Sequence, residues 1–199
     1  KAVFLPNDRH GFKGNAVLDF DHRIELIRKA ITGQTTENRN APPLYPGIEC
    51  WDADSRQYGS GWTDELMQRL SGQYPDAYFC FVIGADNLPS LDRWHNFAWL
   101  AENVHFIIVP RLGQSDVSPL RGLGLGCRLP VCRGSASLHT LPKMVSPLPG
   151  LSLRFSWVEM PMVPVSSSDI RARIRTGKSI SGLVPELLEP DIIRLYSDE

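Results

Sequence analysis

One continuous apolar run, residues 78–83, constrains the fold of this chain more than any other segment. Six residues without a charged interruption are typical of a parallel strand, because helices cover both faces of such a strand. The run ends at Gly84, Ala85 and Asp86, where the chain changes to turn-forming residues. We therefore expect a buried central strand that delivers Gly84 and Asp86 to its carboxyl end.

Shorter apolar runs alternate with helical patterns along the rest of the chain. We expect strands at residues 2–5, 48–51, 104–109 and 155–160, and helices at residues 19–31, 63–70, 96–102, 169–176 and 186–196. The first strand should be buried, Gly72 should end the second helix and Gly177 the fourth. This alternation predicts a three-layer α/β fold with a parallel sheet, in which ligands bind at the carboxyl ends of the strands.

The size and charge of the chain limit its organisation and partners. Its 199 residues fit a single domain, 1–199, with a loop-rich insertion at about 112–151. The formal net charge of −1 favours neither nucleic acid nor membrane, and no apolar run approaches the ~20 residues that span a bilayer. The four cysteines lack a metal-ligand spacing. We expect a cytoplasmic protein with free thiols, no protein-bound metal, and neither nucleic-acid nor membrane partners.

A run of hydroxyl side chains, Ser166, Ser167 and Ser168, precedes the fourth predicted helix. A serine N-cap leaves first-turn amides and the positive end of the helix dipole facing an anion. Arg171 would fall in the first turn, where its guanidinium can hold a phosphate. Local residues alone favour a plain serine-capped helix, so the phosphate hypothesis depends on the rest of the chain.

Three other short segments of the chain carry residues that suit a nucleotide. Gly84 lets a ligand approach the backbone, and Asp86 can accept hydrogen bonds from ribose hydroxyls, although a tight turn explains both. Trp94 can stack on a flat ring, or it can be a half-buried packing residue. Trp62 and Thr63 can place an indole and amides beside a small ligand, unless Thr63 only caps its helix.

The remaining polar residues form no recognisable catalytic pattern. His95 and His105 are interpreted as structural, and no Ser/His/Asp or Cys/His arrangement is readable. The glycine-rich residues 122–126 do not fit a nucleotide loop, because no strand leads into them. Covalent catalysis is therefore not predicted.

Taken in order, these segments resemble the bacterial-type nicotinate-nucleotide adenylyltransferase family. The most specific features are G-x-D-x-L from Gly84, a tryptophan six residues after that leucine, and V-S-S-S-x-I-R at residues 165–171. Residues 3–7, 23–31, 61–63, 107–111 and 182–185 also resemble the family. The resemblance covers nearly the whole chain apart from residues 112–151.

The resemblance implies a Rossmann-like nucleotidyltransferase fold that transfers AMP from ATP to nicotinate mononucleotide, giving deamido-NAD and pyrophosphate. Mg²⁺ would be held mainly by the substrate phosphates. ATP would be bound by Gly84, Asp86, Ser166, Ser167, Ser168 and Arg171, with Ser168 and Arg171 catalytic. The mononucleotide would be bound by Trp62, Thr63, Trp94, Lys13 and Arg111. The oligomeric state is left open, a homo-oligomer included.

The chain departs from the family pattern at its beginning. The family opens with a strand, a glycine-rich turn and an H-x-G-H motif on the following helix, whereas this sequence starts with Lys1 and contains no H-x-G-H. We expect that this first strand and helix are missing from the sequence. The 199-residue chain alone would then be inactive and poorly stable, because a neighbouring apolar strand would keep an exposed edge.

Two alternatives to this function stay open at the level of sequence. One is a pseudoenzyme of the same fold that binds nucleotides without catalysis. The other is an adenylyltransferase for a different acceptor, such as nicotinamide mononucleotide or pantetheine phosphate. Trp94 and the Trp62–Thr63 pair favour a flat aromatic acceptor.

Overall fold

Every pair of neighbouring strands in the described part of the chain is parallel. The computed structural model describes residues 1–8, 18–34, 38, 40, 42–54, 60–111, 131–132, 154–158, 160–161 and 164–197. These residues belong to two units, Lys1–Trp62 with Val165–Glu199, and Thr63–Pro164. The predicted α/β fold with parallel strands is confirmed, while the single domain over residues 1–199 stays a prediction.

Helices and strands alternate in the order that the sequence predicts. The elements are β1 (Ala2–Phe4), α1 (Phe20–Thr32), β2 (Ile48–Cys50), α2 (Thr63–Gln73), β3 (Cys80–Gly84), a 3-10 helix (Ala85–Arg93), α3 (Phe97–Asn103), β4 (His105–Val109), β5 (Val131–Cys132), β6 (Arg154–Val158), α4 (Ser167–Arg175), a second 3-10 helix (Glu186–Leu188) and α5 (Glu189–Ser197). None of the helices in the described residues is long and apolar enough to cross a membrane.

The first unit holds β1 and β2, paired with Ala2 opposite Ile48. Helix α1 packs against β2 and buries Phe20, Ile24 and Ile31, which recur at helical spacing. Asp19 caps this helix by accepting a hydrogen bond from the amide of His22 at 2.9 Å. In the C-terminal part of this unit, α4 packs against α5.

The second unit is a four-stranded parallel sheet in the order β3-β4-β6-β5. Its core is apolar, and its largest fully buried side chains include Phe106, Phe155, Met67, Leu88, Leu91 and Leu100. Burial of a large apolar side chain stabilises the fold by roughly 1.5–3 kcal/mol, so these residues hold the sheet to its helices.

Two strands are less buried than their sequences predict. Phe4 in β1 keeps 50% of its surface exposed, and Val82 in β3 keeps 59%. The expectation that β1 is buried and that β3 is covered on both faces is therefore wrong for the described structure. The face of β3 that carries Ile83 is buried, whereas no described element covers Val82 on the other face.

Several predicted boundaries also need correction. Helix α2 continues through Gly72 to Gln73, because burial of its apolar face outweighs the ~1 kcal/mol helix penalty of a glycine. Helix α4 starts at Ser167 instead of 169, and residues 186–188 form a 3-10 turn ahead of α5. Strand β5 lies inside the predicted loop 112–151, since two residues are too few to show a periodicity.

His105 is a buried polar residue at the start of β4, as its structural interpretation predicts. Its Nε2 lies 2.9 Å from Oγ of Ser156 in β6, and Nδ1 has no hydrogen-bond partner among the described residues. Burial lowers the pKa of His105 below its usual value of 6.5, and the positive charge of Arg154 adds to this effect.

This lowered pKa predicts an acid-sensitive contribution to stability. Below pH 6.5 the unfolded chain binds a proton that the folded His105 does not, so the free energy of unfolding falls as the pH drops through that window. Urea titrations at pH 7.5 and 5.5 measure this effect. Between these two pH values, the free energy of unfolding should fall less for His105→Gln than for the wild type. The same loss in His105→Gln as in the wild type would contradict this prediction, and His22→Gln, at a half-exposed position, serves as the control.

Candidate active site

The serine segment forms the N-terminus of α4 in the first unit. Ser166 is the N-cap, with extended backbone angles of φ −128° and ψ 150°, and its Oγ accepts a hydrogen bond from the amide of Asp169 at 3.1 Å. Ser167 and Ser168 are the first two residues of the helix and are exposed. Because first-turn amides lack an intrahelical acceptor, they point out of this end and suit an anion.

Arg171 is the fifth residue of α4, so the expectation that it lies in the first turn is wrong. Helical side chains lean toward the N-terminus, and its Nη2 accordingly donates to Oγ of Ser168 at 3.3 Å. Among the described residues Arg171 has no acidic partner. By contrast, Arg173 donates hydrogen bonds from Nε to Oδ2 of Asp169 at 3.1 Å and from Nη1 to the carbonyl of Ser179 at 3.3 Å. Of these two guanidinium groups, that of Arg171 is therefore the one available to a phosphate.

In the second unit, Gly84, Asp86 and Arg111 lie together where β3 and β4 end. Gly84 is the last residue of β3 and its carbonyl accepts a hydrogen bond from Nδ2 of Asn87 at 3.2 Å. Nε of Arg111 lies 3.6 Å from Oδ1 of Asp86, and both side chains are about half exposed, 54% and 49%. An exposed ion pair of this length contributes ~0–1 kcal/mol, so either partner can exchange it for a charged ligand.

This arrangement leaves no room for a side chain at Gly84. A Cβ atom there would collide with Oδ1 of Asp86 and would lie 2.8 Å from Cγ of Arg111. The backbone of Gly84 is extended, at φ −72°, so the requirement concerns space and not conformation. These neighbours are side chains of the chain itself, so the approach of a ligand to the backbone at Gly84 stays a prediction.

Gly84→Ala is expected to displace the Asp86–Arg111 pair, with a loss of about 1–3 kcal/mol in the free energy of unfolding. We expect kcat/KM for ATP to fall by about tenfold or more, because Asp86 moves from its place at the strand end. Gly72→Ala is the matched control: a Cβ there meets open space, and the substitution should stabilise α2 by ~1 kcal/mol. Urea denaturation and steady-state kinetics measure both. A Gly84→Ala enzyme as stable and active as the wild type would contradict this account.

Trp94 follows the first 3-10 helix and lies against the sheet. Its ring meets Phe81 of β3 edge-on, with centroids 6.2 Å apart and planes at 85°, and Phe106 of β4 at 6.5 Å and 73°. The amide of Trp94 donates to the carbonyl of Leu91 at 3.2 Å. The indole is half-buried, so it is supported by the sheet while part of its surface is open to a ligand.

Trp62 and Thr63 lie on either side of the boundary between the two units. Trp62 is half-buried, and its amide donates to Oγ of Ser60 at 3.2 Å, directly after Gly61 at φ +80°. That amide is already used by its own turn. Thr63 is the first residue of α2, where a backbone amide is open to an anion.

One predicted residue, Lys13, lies outside the described residues, as does most of the predicted insertion. Cys50 and Cys80 carry free thiols, and burial raises the pKa of each. Within the described ranges, no group of three or more His, Cys, Asp and Glu side chains could hold a metal ion.

A pair of polar residues near Trp94 was not predicted from the sequence. Asp64 in α2 is buried, with 1% of its side chain exposed, and its Oδ1 lies 2.9 Å from Nδ1 of His95. The two residues are 31 positions apart, and no local pattern links them. The sequence shows only an aspartate one residue after Thr63 and a histidine one residue after Trp94.

The chain matches known proteins over most of its length. Residues 1–173 match the family model described as cytidylyltransferase-like. A probable nicotinate-nucleotide adenylyltransferase from Exiguobacterium sibiricum is 30% identical over 183 residues, which cover 92% of this chain and 75% of that protein. One from Rhodopirellula baltica is 29% identical over 186 residues, covering 92% and 70% respectively.

Solved structures show the same fold. Plasmodium falciparum nicotinic acid mononucleotide adenylyltransferase complexed with NaAD superposes with a TM-score of 0.65 and 17% identity, over 99% of this chain and 82% of that one. The same protein complexed with APC gives a TM-score of 0.58. At this identity the likeness extends to the fold and not to individual side chains.

Proposed function

We propose that this chain, which belongs to the cytidylyltransferase-like family and within it to the nicotinate-nucleotide adenylyltransferases, transfers AMP from ATP to nicotinate mononucleotide. The products are deamido-NAD and pyrophosphate, and the reaction belongs to NAD biosynthesis. The observation that carries the proposal is the likeness to bacterial nicotinate-nucleotide adenylyltransferases across more than nine-tenths of the chain.

The described residues suit a reaction that needs positioning more than covalent chemistry. An oxygen of the mononucleotide phosphate attacks the α-phosphorus of ATP, and the bond to the bridging oxygen breaks as pyrophosphate leaves. The protein has to hold two anionic substrates in line and offset the charge that develops on the leaving group. No protein nucleophile or general base is required.

For the donor, we assign the phosphates of ATP to the N-terminus of α4 and to Arg171. Exposed amides and hydroxyls of Ser166, Ser167 and Ser168 provide donors, and Arg171 provides a positive charge that no described carboxylate neutralises. A guanidinium in this role acts on the charge of the departing pyrophosphate. Gly84 and Asp86 are assigned to the adenosine, where the carboxylate can accept hydrogen bonds from ribose hydroxyls.

For the acceptor, we assign the pyridine ring to Trp94. A half-buried indole supported edge-on by Phe81 and Phe106 offers a flat surface whose stacking is worth roughly 1–3 kcal/mol. Thr63, at the N-terminus of α2, is assigned to the nicotinate carboxylate through its amide and hydroxyl, together with Trp62. Arg111 and Lys13 are assigned to the mononucleotide phosphate.

Mg²⁺ fits the described residues as an ion held by the substrate phosphates. The described ranges contain no cluster of carboxylates for a dedicated cage, and the donors of α4 are amides and hydroxyls, which suit phosphate. Mg²⁺ commonly takes most of its ligands from phosphates and water. When bound, it adds positive charge against the pyrophosphate.

The acceptor assignment can be tested by comparing mononucleotides in the protein at its natural full length. With ATP and Mg²⁺ held constant, kcat/KM is measured for nicotinate mononucleotide, nicotinamide mononucleotide and pantetheine phosphate. We expect the nicotinate compound to be preferred by at least about tenfold, because a carboxylate gains charged hydrogen bonds that an amide lacks. Comparable rates for both pyridine compounds would refute the acid preference, and binding of ATP without any turnover would identify a pseudoenzyme.

A further inference from the structure

Asp64 is a buried carboxylate among the apolar residues of α2. Only 1% of its side chain is exposed, and its neighbours on the helix, Leu66, Met67 and Leu70, are core residues. A carboxylate in such a place is costly unless it is paired and hydrogen-bonded. The position in the first turn of α2 favours a negative charge, because the helix dipole is positive there.

His95 provides the partner that Asp64 requires. Nδ1 of His95 donates to Oδ1 of Asp64 at 2.9 Å, and Nε2 of Gln68 lies 3.4 Å from the other carboxylate oxygen. The imidazole is 47% exposed, so the bond runs from the core to the surface of the unit. It ties the start of α2 to the segment between the first 3-10 helix and α3.

This bond and the aromatic contacts of Trp94 hold two consecutive residues from different directions. Trp94 is fixed through Phe81 and Phe106 of the sheet, and His95 through α2. The next residue, Asn96, has φ +46° and ψ 44°, a left-handed conformation that costs a non-glycine residue energy. A turn of this kind persists where the surrounding contacts hold it in place.

We propose that Asp64 and His95 are positioning residues for the mononucleotide. By joining the two segments, they set the distance between Thr63, which precedes Asp64, and Trp94, which precedes His95. The proposal rests on the proposed function, in which Thr63 meets the carboxylate and Trp94 the ring of one nicotinate group. The hydrogen bond between Asp64 and His95 fixes the distance between these two contacts, and neither of its residues contacts a substrate.

The test compares His95→Ala with His95→Asn in steady-state assays of both substrates. His95→Ala should raise KM for nicotinate mononucleotide by about tenfold or more and leave KM for ATP within about twofold, since only the acceptor contacts shift. The amide nitrogen of His95→Asn can take the place of Nδ1, so this variant should restore KM to within about threefold of wild type. The pair formed by Asp19 and His22, whose ring nitrogen and carboxylate are 2.8 Å apart, supplies the matched control: His22→Ala should change neither KM.

A second variant separates positioning from stability. His95→Ala leaves a buried carboxylate without this partner and can lose stability for that reason alone. The double variant Asp64→Leu, His95→Ala replaces the charge by an apolar side chain, so thermal unfolding should return toward wild type while KM for the mononucleotide stays raised. An unchanged KM in the folded double variant would overturn the proposal. So would a failure of His95→Asn to restore KM, because that result assigns the imidazole to the substrate directly.

These outcomes are distinct from a failure of the proposed function. Each series includes the wild-type protein with ATP and nicotinate mononucleotide. No turnover by the wild-type protein at its natural full length would reject the function itself. Turnover by the wild type, together with wild-type KM values in both His95→Ala and the double variant, would reject only the positioning role.

Discussion

Replacing Arg171 with alanine is expected to lower kcat/KM for ATP by about 10²- to 10³-fold, the loss typical of removing one donor to a developing charge. Arg171 donates to Ser168 at 3.3 Å and has no acidic partner among the described residues. Its removal therefore breaks little within the protein, and the free energy of unfolding should change by less than about 0.5 kcal/mol. Steady-state kinetics and urea denaturation on the same preparations measure the two effects.

Arg173→Ala is the matched control for this prediction. It removes the same charge from the same helix two residues away, but Arg173 is already bonded to Asp169 and to the carbonyl of Ser179. We expect a modest loss of stability of ~0.3–0.5 kcal/mol from the i,i+4 pair and only a small kinetic effect. If Arg171→Ala unfolds the protein, or if both variants lose activity equally, the residue is structural and α4 is a plain serine-capped helix.

Trp94→Ala is expected to raise KM for nicotinate mononucleotide by about 5- to 150-fold, which corresponds to the roughly 1–3 kcal/mol of a stacked ring. KM for ATP should change little. Because the indole also meets Phe81 and Phe106 edge-on, the alanine variant loses packing as well as stacking. Trp94→Phe keeps a flat ring in the same place and should recover most of the affinity and the stability.

Comparing the KM values of the two substrates distinguishes contact with the mononucleotide from a purely structural role for Trp94. Loss of packing alone lowers the fraction of folded enzyme and reduces kcat with both KM values unchanged. A selective rise in KM for the mononucleotide requires contact with that substrate or control of its site. Equal changes in both KM values would contradict the assignment of Trp94 to the pyridine ring.

The parts of the site that follow from the sequence are those set by neighbouring residues. A serine caps α4 as predicted, because capping depends on three or four consecutive residues, although the cap is Ser166 and not Ser168, which a helix starting at 169 requires. Gly84 and Asp86 lie at the carboxyl end of β3 as predicted, because a long apolar run and its end are visible in one window. The parallel order of the strands follows in turn from their alternation with helices.

The parts that could not be predicted depend on residues far apart in the chain. The bond from Asp64 to His95 joins positions 31 residues apart, and no periodicity indicates it. The exposure of Val82 depends on what packs over β3, which an apolar run does not reveal. The place of Arg171 in the second turn depended on which of three serines is the cap, and sequence patterns leave such boundaries open by a residue or two.

The most direct test of the central claim follows the α-phosphorus of ATP. The protein at its natural full length is incubated with ATP labelled at the α-phosphate, nicotinate mononucleotide and Mg²⁺, and the products are separated. The account predicts that the label appears in deamido-NAD, with one unlabelled pyrophosphate formed for each dinucleotide. Label that stays in ATP, or that appears as free AMP without dinucleotide, would contradict it.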